Sequence, residues 1–159
     1  MKILIFSDSH RNVEPMITAA AKEEPNVIIH LGDVESDAVA LRRCIPGIMI
    51  CSVPGNCDFM PLGPHRLLIK LEGKTIFAAH GHTYGVKSSY ASIINAAMAA
   101  RADILLFGHT HQALEMERDG LLIINPGSIG MQGRTYGVLT IQNGNVEYEK
   151  EYIQNGRNP

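Results

Sequence analysis

Apolar and polar positions alternate in blocks along this chain, and the period of each block names an element. Residues 2–6, KILIF, are β-branched and apolar and predict a strand. Residues 13–24, VEPMITAAAKEE, predict a helix, with Asn12 available as N-cap and Pro15 tolerable only in the first turn. NVIIH (26–30) predicts a second strand, SDAVALRRCI (36–45) a short helix capped by Ser36 or Asp37, and GIMICSV (47–53) a third strand stopped by Pro54 and Gly55. Residues 65–79 predict two strands around a turn at Glu72 and Gly73. Residues 87–102 are alanine-rich and predict a helix, with Ile94, Ala97 and Met98 on its core face, and 103–107, DILLF, predict another strand. The last third changes character. Runs 114–118, 121–125, 136–142 and 145–153 predict short strands, joined in two places by Asp119-Gly120 and Asn143-Gly144, dipeptides that tolerate the positive φ of hairpin turns. Strands alternating with helices predict a largely parallel sheet early in the chain, and hairpins follow it.

Composition narrows the setting. At 159 residues the chain suits one domain, 1–159, with a real hydrophobic core. Hydrophobic content is 45%, and no apolar run approaches the roughly 20 residues a spanning helix needs, so no membrane partner is expected. The opening MKILIFSDSH offers only ILIF, too little for the apolar core of a signal peptide. Cys44, Cys51 and Cys57 are odd in number and show no zinc-type pairing, which argues against a disulfide framework or a cysteine metal cage. Both features point to the cytoplasm. Net charge is -2 and no basic cluster is present, which argues against nucleic acid as a partner.

The chemistry lies at the strand ends. Parallel strands align their carboxyl ends along one edge, where ligands bind. After KILIF come Asp8 and His10; after NVIIH comes Asp33; after GIMICSV come Asn56, Cys57 and Asp58; after TIFAA come His80 and His82; after DILLF come His109 and His111. Any one Asp or Asn in such a place is an ordinary turn former. Ligand-type side chains at all five ends are another matter. Imidazole and carboxylate together suit manganese, iron, nickel, cobalt or zinc better than an all-oxygen cage would. Seven candidates are too many for one ion, and they divide between two ions roughly 3.5–4 Å apart if one carboxylate bridges them. Two carboxylates against two divalent ions leave a formal surplus of about +1 once a hydroxide binds, which attracts a phosphate ester. A water held by both ions loses a proton near neutral pH and supplies a nucleophile without a reacting serine or cysteine.

The ordered set DSH, GD, GNCD, HGH, GHTH resembles the calcineurin-like metallophosphoesterases, and the small size, GNCD and NPGS look most like the single-domain phosphodiesterases of the YfcE type. The resemblance runs from Asp8 to about Ser128. It implies that Asp8, His10 and His111 bind one metal, that Asn56, His80 and His109 bind the other, and that Asp33 is the bridge. It also implies an α/β fold in which two mixed β-sheets form a sandwich flanked by helices, extended by the late hairpins.

Many members of the wider superfamily place a histidine where this chain has Cys57, and that histidine is implicated in protonating the leaving group or binding phosphate. A thiol beside divalent cations tends toward thiolate and donates protons poorly, so leaving groups of low pKa should be favoured. The YfcE-type branch commonly has cysteine here. His82 and Asp58 are the candidates left for the acid, and Arg11 and Cys57 for contacts with substrate. Arg11 could reach a phosphate bidentately, although solvent exposure is its commoner fate. His30 fits either a packed core or support of a ligand. Arg134 is a weaker phosphate candidate, and 125-NPGS-128 is a turn by composition that only the resemblance places near the metals.

The expected function is metal-dependent hydrolysis of small-molecule phosphodiesters, with two divalent ions, manganese first among them. A diester carries one negative charge, which the modest surplus balances, against nearly two for a monoester. The competing readings are a non-catalytic protein-binding scaffold with the same fold, as the retromer subunit represents, and a phosphomonoesterase or nuclease. The alanine-rich helices and the C-terminal strands each offer a face or an edge to a second copy of the chain, and nothing in the pattern chooses between them.

Overall fold

The apolar runs gather into two sheets rather than one. The computed structural model describes residues 1–131 and 134–153. In chain order the elements are β1 (Lys2–Phe6), α1 (Glu14–Glu23), β2 (Val27–His30), α2 (Glu35–Cys44), β3 (Met49–Ser52), β4 (Arg66–Leu71), β5 (Lys74–Ala79), α3 (Ala91–Ala99), β6 (Ile104–Phe107), β7 (Leu114–Arg118), β8 (Leu121–Asn125), β9 (Thr135–Gln142) and β10 (Asn145–Tyr152). One five-stranded sheet has the order β10-β9-β1-β2-β3 and the other β4-β5-β6-β8-β7. Each has a parallel centre, β1-β2-β3 in the first and β5-β6-β8 in the second. Antiparallel strands complete both: β9 pairs with β1 and β10 with β9, β4 with β5 and β7 with β8. The two mixed sheets implied by the resemblance are thus present, and the largely parallel early sheet read from the alternation is divided between their centres.

The reason is coverage. Central strands such as β1, β2 and β6 are buried on both faces, so each sheet needs a partner layer on either side. Alternation along β1 shows how this is met. Ile3 and Ile5 point into a core between the sheets with Ile29, Ile76, Ile104, Leu106 and Leu139. Leu4 and Phe6 point outward against Met16 and Ala19 of α1 and Leu41 of α2. On the far side Phe77, Leu105 and Phe107 pack under Ile93, Ile94 and Ala97 of α3. Among the described residues, no helix is long and apolar enough to cross a membrane.

The helix starts depart from expectation. Val13, not Asn12, sits at the cap of α1, because the Asn12 N–H closes a turn onto the Ser9 carbonyl. Val34 caps α2, leaving Ser36 and Asp37 inside its first turn. The predicted helix at 87 begins only at Ala91, since the Ser88 and Ser89 N–H groups fold back onto Gly85, where φ is 65°. Met98 lies at the margin of the buried face, 39% exposed.

Candidate metal centre

The loops beyond the strand ends hold backbone conformations that L-residues avoid. Positive φ occurs at Asp8 (53°), His10 (49°), Asp33 (103°), His109 (68°) and His111 (59°). Each costs about 1–3 kcal/mol and persists only where the surroundings over-determine it. Here they do. Ser128 Oγ donates to the Asp8 carbonyl at 2.8 Å, the Gly130 N–H to the same carbonyl at 3.2 Å, and the Ile129 N–H to the Ser7 carbonyl at 3.1 Å. Buried Asn125 donates through Nδ2 to the Gly108 carbonyl at 3.1 Å. The 125–128 stretch therefore clamps the Asp8 loop and the Gly108–His111 loop together, a role its turn-like composition conceals.

Glycines allow two close approaches. A Cβ on Gly108 would collide with the Ser7 hydroxyl, and one on Gly55 would run into the Asp33 backbone. The Asp33 obstacle is main chain and cannot swing aside. Gly55→Ala is accordingly expected to destabilise the protein by about 1–3 kcal/mol in urea unfolding and to weaken metal binding, because the displaced backbone carries Asp33.

Six of the seven candidate ligands bring a side-chain N or O atom within 4 Å of that of another member, and His109 does so only through its backbone N–H. Asp8 Oδ1 lies 3.2 Å from His111 Nε2 and 3.9 Å from His80 Nε2. His10 Nε2 is 3.3 Å from His111 Nε2, and His10 Nδ1 is 2.9 Å from Asp33 Oδ2. Asn56 Oδ1 is 2.9 Å from His80 Nε2. His109 joins by stacking: its ring centroid is 5.0 Å from that of His80, and its N–H donates to Asp8 Oδ2 at 2.9 Å. Among the described residues, two groups have ligand atoms close enough to share a cation, Asp8 with His10 and His111, and Asp8 with Asp33 and His80. Asp8 thus stands between the two halves beside Asp33, and neither group includes His109.

Whether these residues fit a cation is decided by their hydrogen bonds. Asp8 and Asp33 are 0% and 2% exposed, yet among the described residues Asp8 Oδ1 and Asp33 Oδ2 accept no hydrogen bond. His10 Nδ1 approaches Asp33 Oδ2 without the alignment a hydrogen bond needs. Buried carboxylate oxygens without donors are costly and rare. His80 Nδ1 lies 2.8 Å from the Leu31 carbonyl and so carries the proton, which leaves Nε2 a bare lone pair aimed at another acceptor, Asn56 Oδ1. Burial lowers the His80 pKa to about 4 and, with His80 and Lys87 nearby, that of His109 to about 4, so both stay neutral as ligands must. Burial also raises the Asp8 pKa, although the Ser7 hydroxyl and His111 oppose it. The set fits divalent cations in donor type, protonation and unmet demand.

The remaining candidates separate. Asp58 is not placed to donate a proton: its Oδ1 accepts the Glu35 N–H and its Oδ2 the Gly55 N–H, each at 2.8 Å. It ties the start of α2 to the Gly55 loop. Asp58→Ala should cost about 2–5 kcal/mol through two stranded N–H groups, with the shape of the pH–rate profile preserved. His82 stands beside the cluster, its ring 5.3 Å from that of His80 and 6.1 Å from that of His109, and its buried Nδ1 has no partner. Cys57 is exposed, and a hydrogen bond to Asp33, reinforced by burial and by Asp58, pushes its thiol up to about 11. In the metal-free centre the carboxylates alongside hold the proton on this thiol, whereas the expectation of a thiolate concerns the centre with its cations bound. Arg11 is exposed. His30 is fully buried and braces the Ser9 hydroxyl at 3.0 Å. Arg134 donates its N–H to the Met131 carbonyl at 3.1 Å.

Known proteins are similar to this chain in sequence and fold. Residues 1–144 match the calcineurin-like phosphoesterase superfamily domain. A probable metallophosphoesterase of Bacillus subtilis (strain 168), YsnB, is 35% identical over 150 residues, covering 90% of this chain and 86% of that protein. The phosphodiesterase YfcE of Escherichia coli (strain K12) is 26% identical over 167 residues and covers 87% of each chain. In three dimensions, a conserved uncharacterized protein from Streptococcus pneumoniae TIGR4, a predicted phosphoesterase, superposes with a TM-score of 0.81 at 24% identity, over 98% of this chain and 93% of that one.

Proposed function

The chain belongs to the calcineurin-like phosphoesterase superfamily, and on that footing we propose that it is a cytoplasmic, single-domain phosphodiesterase acting on small molecules with two divalent ions. Asp8, His10 and His111 would hold one ion and Asn56, His80 and His109 the other, with Asp33 shared and manganese the expected metal. The observation that carries this reading is the pair of buried carboxylate oxygens, Asp8 Oδ1 and Asp33 Oδ2, that accept no hydrogen bond. Two such ions supply Lewis acidity and bring the pKa of bound water toward 7.

The chain's own residues orient and neutralise. Asp8 and Asp33 set a negative floor, so the site's net charge suits the single charge of a diester. His82, next to His80 and His109, is the remaining candidate to meet the departing oxygen, and Cys57 and Arg11 are offered from exposed positions. Carboxylates buried without donors favour a metal-binding chain, and relatives named phosphodiesterase favour the enzyme over a scaffold. The test is hydrolysis of bis(p-nitrophenyl) phosphate and of p-nitrophenyl phosphate by manganese-loaded protein. Preference for the diester supports the proposal; preference for the monoester, or no turnover together with tight binding of a protein partner, contradicts it. His82→Ala is expected to slow diesters with poor leaving groups most, and an unaltered rate and pH profile would remove His82 from the reaction.

A further inference from the structure

The β1–α1 loop is gripped from two directions. From one side the Ser128, Ile129 and Gly130 contacts fix Ser7 and Asp8. From the other comes Asp37, at the third position of α2 and 3% exposed. A carboxylate there ordinarily turns back onto its own helix cap. This one instead crosses to the loop, where its Oδ2 accepts both the Ser9 hydroxyl at 2.6 Å and the Arg11 N–H at 2.8 Å. Ser9 and Arg11 are the two neighbours of His10, so a single oxygen spans that residue like a staple.

Behind Ser9 stands His30. The Gly32 N–H donates to His30 Nδ1 at 3.3 Å, which places the proton on Nε2, 3.0 Å from the Ser9 oxygen. The proton order is then determined along the row: His30 Nε2–H to Ser9 Oγ, and Ser9 O–H to Asp37. Nothing in the row can rotate without leaving a buried group unmatched. His10 and Arg11 both have positive φ, 49° and 64°, which a free loop would abandon. The Asn12 N–H closes a turn across the pair onto the Ser9 carbonyl, and Asp37 adds side-chain bonds on both sides of His10.

We propose that Asp37 is a positioning residue for metal binding, holding His10 in its strained backbone conformation through Ser9 and Arg11 so that its imidazole meets His111 and Asp33. The inference rests on the reading of His10 as a ligand. The test is calorimetric titration of the metal-free full-length protein with manganese, alongside thermal unfolding. Asp37→Ala should weaken one of the two ions by about 10–100-fold, the scale on which outer groups support metal ligands. Asp37→Asn, which keeps an acceptor oxygen, should restore affinity to within a few fold. Alanine binding both ions as the wild type does, or weakening both equally without rescue by asparagine, would overturn the proposal even if stability falls. If Asp37→Ala does not fold, Ser9→Ala takes its place: it removes one of the two bonds and should weaken the same ion several-fold, and unchanged affinity counts against the proposal. Failure of the wild type to bind manganese would instead sink the two-metal reading itself.

Discussion

Asp33→Asn is expected to lower diester hydrolysis about 10³-fold, the scale of losing a preorganised charge at a reacting centre. Asparagine matches the shape of aspartate, so the loop conformation at Asp33, with φ of 103° and the Cys57 N–H on its carbonyl, has no steric reason to change. What changes is charge, in a place 2% exposed whose Oδ2 accepts no hydrogen bond. The same substitution should stabilise the chelated protein, because it removes a buried charge whose Oδ2 has no donor. The two effects run in opposite directions, and a purely structural Asp33 would produce neither. Rate measurements in manganese and urea unfolding in chelator read them separately; retained activity, or a less stable chelated protein, would count against the assignment.

Loading the centre should raise the melting temperature by a wide margin. Each ion present at a thousandfold its Kd adds about 4 kcal/mol. Two would shift Tm by on the order of 15–30 °C in a chain of this size. The gain should also depend on pH with a definite sign. Burial depresses His30 and His80 to about 4, below the value near 6.5 they have when unfolded. The unfolded chain therefore binds more protons between those limits, and the stability these groups confer is full above about pH 6.5 and lost as pH falls toward 4. Asp8 acts oppositely: its raised pKa favours the chelated fold at low pH, and that contribution disappears as pH rises through the raised value. In the proposed centre a divalent ion would compete with protons for Asp8 and His80, so the metal-induced gain in Tm should be larger at pH 7.5 than at pH 5. Scanning calorimetry with and without metal checks this, and a gain that is flat or larger in acid would contradict it.

Much of this was legible in the residue order, for identifiable reasons. The β-branched runs at 2–6 and 103–107 are strands because nothing else suits short, wholly apolar segments, and LEMER and LLIIN form β7 and β8 with the bounds their turn at Asp119-Gly120 dictates. Ligand-type side chains were visible because they sit just beyond carboxyl ends. The split into two sheets was less visible, since a strand buried on both faces looks the same whichever layer covers it. Asp37 was misread as a cap, and the 125–128 turn was left to resemblance alone, because each acts on residues 17 to 120 positions away through bonds that no local period encodes. Positive φ at Asp8, His10 and Asp33 leaves no trace in side-chain type either, although it marks the loops where the chain accepts strain.

The most direct measurement is anomalous diffraction from crystals of the manganese-loaded protein. Two peaks roughly 3.5–4 Å apart are predicted, one among Asp8, His10 and His111, the other among Asn56, His80 and His109, with Asp33 touching both. A single peak, or ions bound away from Asp33, would contradict the account.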